Sequence, residues 1–252
     1  MKVILVLLDG LNDQVSQDCM GFLSALCTSN KGHSRTIESE LPSLSRPLYE
    51  CILTGKPPLE SGIFNNKINR LSTQKSIFHY VKEQEKTSAA AAYYWISELY
   101  NRSPFIPSQD RSVIDQSLLI PYAHFYFEDH YPDSHLFLDG ESLRTKYNPD
   151  FLFIHSMNID DAGHKHGLDS TQYRNSARQA DTLLSALIPQ WIEENYLIFI
   201  TSDHGMNKDH SHGGTLPEER QVPLYIIGNN HEKFKNQTIA QKDICNVICQ
   251  LI

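Results

Sequence analysis

Apolar positions fall into two patterns along the chain. Residues 3–8 (VILVLL), 151–156 (FLFIHS) and 197–201 (LIFIT) are short unbroken apolar runs. That is the pattern of strands buried on both faces of a parallel sheet. Residues 89–93, 122–127 and 224–227 read as further strands. Between them, apolar residues recur at helical spacing. Ala177, Ala180, Leu183, Leu184 and Leu187 mark a helix over 171–188, which Pro189 is expected to end or kink. Helices are also expected over 15–27, 48–54, 76–86 and 239–251, and mostly loop over 101–120. Strands alternating with helices predict an α/β fold, a mostly parallel central sheet flanked by helices on both faces.

The polar residues next to these runs change the picture. Ligands in open α/β sheets gather at the carboxyl ends of strands. Here the first run ends in Asp9, FLFIHS leads into MNIDDAGHKHG, and LIFIT leads into SDHGMNKDHSHGG. Taken singly, an Asp after a strand is usually a turn or cap residue. Three strands emptying into Asp and His are hard to explain by packing. Asp160 and His164 are four apart, so on a helical turn they share a face. Asp203 and His204 are adjacent and suit one ion or two. His212 precedes Gly213 and Gly214, where backbone can approach closely. Mixed Asp/His sets suit Zn²⁺, with Mn²⁺ as the alternative.

Length and charge narrow the class. A chain of 252 residues predicts a single domain with a substantial core. The net charge of −8 argues against a nucleic-acid polymer as partner. The apolar start runs only about six residues, without a small-residue cleavage site, so it reads as a strand rather than a leader. No segment approaches the roughly 20 apolar residues of a membrane span. The five cysteines, Cys19, Cys27, Cys51, Cys245 and Cys249, show no zinc-type clustering and read as free thiols. These points predict a cytoplasmic protein with no membrane partner.

Ser45 lies in LPSLSRPLYECILTG, at a turn opening a helix. Helix N–H groups there point at an incoming anion. Metal coordination lowers the pKa of a hydroxyl and makes it a nucleophile. Taken alone, Ser45 reads as an ordinary N-cap preceding a helix. The Gly-x-Ser-x-Gly elbow of metal-free serine hydrolases is absent around it.

With these segments in order, the sequence resembles the alkaline phosphatase superfamily, and within it the nucleotide pyrophosphatase/phosphodiesterase branch. Pro42-Ser43-Leu44-Ser45-Arg46-Pro47 resembles the branch's nucleophile segment, with Thr54-Gly55 nine and ten residues after Ser45. Pro58-Leu59-Glu60-Ser61-Gly62-Ile63 follows, with Ser61 in place of the usual His. Asp160-Asp161-Ala162-Gly163-His164, Ser202-Asp203-His204-Gly205-Met206 and His212-Gly213-Gly214 resemble the ligand motifs. Val222-Pro223-Leu224 and Gln241-Lys242-Asp243-Ile244 resemble the closing segments. His212 follows His204 by only eight residues, much as in the glycolipid ethanolamine-phosphate transferases.

The resemblance implies an alkaline phosphatase-like core with a reduced cap and two divalent metal ions. One ion would be held by Asp9, Asp203, His204 and the Ser45 oxygen, the other by Asp160, His164 and His212. It implies Ser45 as nucleophile, Asn66 as a phosphate-binding residue and a phosphoseryl intermediate on a small-molecule phosphoester. His166 and His210 remain alternatives to His164 and His212. Ser45 stands where the branch usually has Thr. Arg46 replaces an apolar residue, and either touches substrate charge or faces solvent. The aromatic block YYWISELY (93–100) either lines the pocket or packs in the core. The leading expectation is a phosphodiesterase. A phosphomonoesterase, a phosphonate hydrolase and a non-catalytic binding protein are the alternatives.

Overall fold

The computed structural model describes residues 1–252. Eight strands form one sheet: β1 (Lys2–Leu8), β2 (Gly32–Glu38), β3 (Ser88–Tyr93), β4 (Ser112–Ile114), β5 (Tyr122–Tyr126), β6 (Phe151–Ser156), β7 (Tyr196–Thr201) and β8 (Gln221–Ile227). Their order is β2-β8-β7-β1-β6-β3-β5-β4. The five from β7 to β5 are mutually parallel. β8 and β4 run antiparallel to them at the two sides, with β2 pairing antiparallel to β8 at the edge. The expected α/β architecture with a mostly parallel sheet is present.

The helices are α1 (Asp13–Cys19), α2 (Gly21–Thr28), α3 (Ser45–Thr54), α4 (Pro58–Ser61), α5 (Ile77–Glu83), α6 (Trp95–Tyr100), α7 (Pro107–Asp110), α8 (Asp133–Tyr147), α9 (Asn158–His166), α10 (Thr171–Glu193), α11 (Pro217–Arg220) and α12 (Asp243–Cys249). The unbroken apolar run of β1 splits by parity. Val3, Leu5 and Leu7 join one buried cluster with side chains of α3, α5, α6 and α12. Ile4, Val6 and Leu8 join the other with α1, α2, α8 and α10. Both faces of β1 are therefore covered by helices, which is why it reads as continuous rather than alternating. Burying each such side chain contributes about 1.5–3 kcal/mol. The pairings Leu8–Ser156 and Leu7–Thr201 bring the ends of β1, β6 and β7 to one level.

Several boundaries depart from expectation, each for a local reason. The helix expected over 15–27 breaks at Met20, because the Asp181 carboxylate accepts the N–H groups of Phe22 (2.8 Å) and Leu23 (3.1 Å) and starts α2 afresh. α10 continues through Pro189 to Glu193. Pro189 lies on the exposed face, while Ile188 and Trp191, both fully buried, anchor the helix on either side. The stretch 101–120 contains α7 and β4, and the last helix starts at Asp243 rather than 239. Two elements lacked a clear apolar pattern: the edge strand β2, whose residues are largely polar and part-exposed, and α8. α8 sits close to the sheet at Gly140, where a Cβ would lie 2.8 Å from Ile154 and 3.8 Å from Ala91. The alanine run of β3 provides the space.

Candidate active site

The ends of β7, β1 and β6, adjacent in the sheet, deliver Asp203-His204, Asp9 and α9 to one place. Gly10 turns the chain at φ +72°, and a Cβ there would meet Asp160 Cα at 2.8 Å. The Asp9-Gly10 turn thus allows α9 to bring Asp160 against Asp9. From the other side comes the first turn of α3. Leu44 is its N-cap and Ser45 its first residue, so the Ser45 hydroxyl is not used as a cap. It lies 3.0 Å from His204 Nε2.

The cluster is compact. His204 Nε2 is 3.4 Å from Asp9 Oδ1 and 3.2 Å from Asp203 Oδ2. His164 Nε2 is 3.4 Å from Asp160 Oδ2 and 3.2 Å from His212 Nε2. His212 Nε2 is 3.9 Å from Asp160 Oδ1. The rings of His204 and His212 stack at 3.5 Å and 6°. Two overlapping sets that share His204, Asp9-Asp203-His204 and Asp160-His204-His212, could each hold a metal ion, the ligand atoms of each set lying within 4.8 Å of one another. His164 stands beside the second set through its contacts with Asp160 and His212.

Each of these histidines is oriented by a backbone carbonyl. Nδ1 donates to Gly205 O from His204, to Ser43 O from His212 and to His210 O from His164, all at 2.9 Å. A carbonyl only accepts, so Nδ1 carries the proton and Nε2 presents a lone pair to the cluster. Burial lowers the His204 pKa, and burial with the neighbouring His204 brings His212 down to about 2. Both rings are thereby kept neutral.

The carboxylates carry the opposite imbalance. Asp9 Oδ1, Asp160 Oδ1 and Asp203 Oδ2 are buried without a hydrogen-bond partner. Burial, then repulsion from Asp160, pushes Asp203 up to about 8. Burial and Asp203 raise Asp9, and burial and Asp9 raise Asp160. Unpaired buried carboxylates of this kind are costly unless paired or coordinating a metal. Three acceptor-only oxygens facing three imidazole lone pairs form a donor set that fits divalent cations.

The remaining expected residues separate. His166 is exposed at the end of α9. His210 has φ +62°, and its ring Nδ1 donates to His164 O (3.0 Å) while its own carbonyl holds the His164 ring. It braces His164 rather than joining the cluster. Asn66 Oδ1 accepts the Arg46 N–H at 3.1 Å, which leaves its amide nitrogen free beside the Ser45 turn. Arg46 requires a correction. It neither faces solvent nor offers its guanidinium to a substrate. It is 2% exposed, ion-paired to Glu98 at 2.7 Å and stacked 4.5 Å from the Trp95 ring centroid. The aromatic block divides: Ile96, Leu99 and Tyr100 pack in the core, while Tyr94 and Trp95 are only part-buried, Tyr94 against Phe105 at 5.3 Å.

Residues missed in the sequence hold Asp9 from behind. The Tyr49 hydroxyl donates to Asp9 Oδ2, and His155 Nε2 lies 3.3 Å from the same oxygen. Their signals were present: a lone His inside an apolar strand, and a Tyr one turn after Ser45 on α3. Gln241 Nε2 donates to Asp203 O at 2.5 Å. Asn207 and buried Glu219, joined at 2.6 Å, brace the loop carrying His212.

Comparison with known proteins adds to this geometry. Murine ectonucleotide pyrophosphatase/phosphodiesterase 5 superposes on 100% of this chain and 95% of its own, with a TM-score of 0.77 at 13% identity. Phosphonoacetate hydrolase from Sinorhizobium meliloti covers 81% of this chain and 56% of its own, with a TM-score of 0.59 at 20% identity. The fold is that of the alkaline phosphatase superfamily. Within it, the chain belongs to the type I phosphodiesterase/nucleotide pyrophosphatase family, whose model matches residues 3–214. Among curated proteins it is similar to GPI ethanolamine phosphate transferase 2 of Kluyveromyces lactis, 22% identical over 95% of this chain and 30% of that protein. The human protein of that name, described as the catalytic subunit, is 22% identical over 92% of this chain and 24% of its own. The chain thus spans less than a third of the length of these relatives. No helix is long and apolar enough to cross a membrane. The expected cytoplasmic location receives no support from these relatives.

Proposed function

We propose that residues 1–252 form a single catalytic domain that opens small phosphodiesters through a phosphoseryl intermediate on Ser45. The observation that supports this most is the convergence of three unpartnered carboxylate oxygens and three imidazole Nε2 atoms beside the Ser45 hydroxyl. Asp9, Asp203, His204 and the Ser45 oxygen would hold one divalent ion, and Asp160, His164 and His212 another, with Zn²⁺ favoured and Mn²⁺ the alternative. Bound there, such ions supply positive charge to the phosphoryl oxygens and lower the pKa of a coordinated hydroxyl.

The protein's own groups do the rest. Ser45 Oγ bonds to phosphorus in line as the bond to the leaving alcohol breaks, and the departing oxygen takes up a proton. The Asn66 amide and the Ser45 N–H donate to a non-bridging oxygen, the positioning on which phosphoryl transfer mainly depends. Water then displaces Ser45 from the opposite face, the one the leaving alcohol vacated, so two inversions give net retention at phosphorus. Diesters are favoured over monoesters because a monoester's second negative charge calls for an extra cation. Of the two cations closest in sequence to Ser45 and Asn66, Arg46 is already neutralised by Glu98, and Lys67 is exposed. The net charge of −8 accords with small phosphoesters rather than nucleic-acid polymers.

A second reading has an alcohol in place of water as the final acceptor. The ethanolamine phosphate transferases named above favour it. One experiment separates these: turnover of bis-p-nitrophenyl phosphate, p-nitrophenyl phosphate and phosphonoacetate, with and without chelator and with added alcohols. Chelator-sensitive diester turnover is expected to dominate. Monoester turnover far above diester turnover overturns the choice of substrate, and activity surviving thorough chelation overturns the metal dependence. Product partitioning to alcohol over water selects the transferase.

A further inference from the structure

Glu98 lies on α6, outside every segment that supplies a candidate ligand, yet it is 3% exposed and its carboxylate is fully engaged. One oxygen accepts from Arg46 Nη2 at 2.7 Å. The other accepts from Asn69 Nδ2 at 2.9 Å and from the Phe105 N–H at 3.1 Å. Three separate segments therefore meet on one buried anion: the first turn of α3, the loop after Asn66, and the loop after α6.

Arg46 carries the connection to the nucleophile. Its Nη1 donates to Ile68 O at 3.0 Å, and its backbone N–H donates to Asn66 Oδ1 at 3.1 Å. Its guanidinium lies against Trp95, and its Nε has no partner. The loop 66–69 is thus fixed to α3 at Asn66 and Ile68, and to Glu98 at Asn69. An Asn amide held by its oxygen can turn only its nitrogen toward a ligand.

We infer that Glu98 is a positioning residue: through Arg46 and Asn69 it sets the loop that holds the Asn66 amide beside Ser45. The inference rests on the Ser45 reading above. Glu98 touches no reacting atom; its effect passes through Asn66. A buried anion suits this role because Arg46 and Asn69 need an acceptor with several lone pairs away from water. Removing it leaves a guanidinium buried and unpaired and frees Asn69 from α6, so that the next tie of this segment to α6 is the Ser72 N–H on Leu99 O at 2.8 Å.

The test is a kinetic double-mutant cycle on diester turnover, with Ser45→Ala as control. Glu98→Gln is expected to lower kcat on the order of tenfold, since small misplacements of a catalytic group are costly, with KM changed less than about twofold. Asn66→Ala lowers kcat as well. In the Asn66→Ala background, Glu98→Gln is expected to change kcat by less than about twofold, because the group it positions is gone. Losses that multiply overturn the inference, as does wild-type kcat in either single variant. Glu98→Asp, which keeps the charge, is expected to recover part of the rate, and no recovery counts against the inference. If Glu98→Gln does not fold, the apolar pair Arg46→Met with Glu98→Leu decides, because such replacements of buried ion pairs are often tolerated. Folded and with wild-type kcat, that variant sinks the inference. Ser45→Ala with unchanged turnover overturns the underlying reading, and this inference with it. A dead Ser45→Ala combined with multiplying losses overturns only this inference.

Discussion

The two halves of the cluster are built differently. Asp9, Asp203 and His204 are all fully buried, at or just after the ends of neighbouring strands. Asp9 is further held by Tyr49 and His155, and Asp203 by Gly10 and Gln241. Asp160, His164 and His212 stand on a helix and on a loop, and the His164 side chain is 46% exposed. The first half is set by the register of the sheet. The second depends on the turn of α9 and on a loop braced by Asn207, Glu219 and His210. Sites on rigid elements are more precise than sites on loops. The first half is thus held more firmly than the second, which His164 opens to solvent, and the contrast fits the proposed pair in which the first side would carry the nucleophile and the adjustable second would meet leaving groups and water.

The largest effect expected from this contrast is at Ser45. Ser45→Ala is expected to lower turnover by at least about a thousandfold, as for other covalent nucleophiles, without change in melting temperature. Wild-type turnover in that variant disproves the assignment. Next come the two halves themselves. Asp9→Asn is expected to cost more than His164→Ala, on the order of a hundredfold or more against tenfold or more, by analogy with losses at metal centres. Raising the divalent cation concentration should recover His164→Ala but not Asp9→Asn. Equal losses and equal recovery in the two variants would erase the distinction between the halves.

The same contrast explains what the sequence made legible. Asp9, Asp203 and His204 stand out because apolar runs end on them, and a buried strand leaves no reason for a charge at its end. Asp160 and His164 are visible through their spacing on a helix. Arg46 was misjudged because its partner, Glu98, is 52 positions away and nothing local announces a buried pair. Tyr49 and His155 were missed because aromatic residues in apolar segments read as packing. The fold shows the same limit. β1, β6 and β7 are written in one face-independent code, whereas β2 is a polar edge strand and α8 is docked through Gly140, features that depend on neighbours distant in sequence.

A third effect is moderate and concerns the cluster without its cations. Asp203 is pushed up to about 8 by burial and by Asp160, and Asp9 and Asp160 are raised as well. A carboxyl whose folded pKa exceeds its unfolded value of about 4 binds its proton more tightly when folded. Stability contributed by these groups is therefore greatest below about pH 4 and is lost as pH rises through their raised folded values, for Asp203 near 8. Buried Asp133, raised to about 7, acts in the same direction and is not a candidate ligand. Metal-stripped protein should accordingly melt lower at pH 8 than at pH 5, with acid effects elsewhere in the chain limiting the gain at the low end. Divalent cations at about a hundred times the Kd measured at pH 8 should restore about 2.7 kcal/mol there, and the same concentration should restore less at pH 5. A stripped protein that is more stable at pH 8, or cations that stabilise equally at both, contradicts this account of the carboxylates.

The smallest effect expected is at His166, which sharpens the boundary of the open half. It sits two residues from His164, but on a helix that separation turns the side chains to different sides, and it is exposed where Asp160 is buried. His210 is different: its carbonyl and ring bracket His164, so its backbone matters to the site while its imidazole supplies no ligand. His166→Ala is therefore expected to leave kcat, KM and the cation concentration for half-maximal activity within about twofold of wild type, since surface changes away from such features are usually near neutral. A shift in the cation requirement alone would mean that the adjustable half recruits the end of α9 when loaded, and that His164 and His166 exchange places on the second ion.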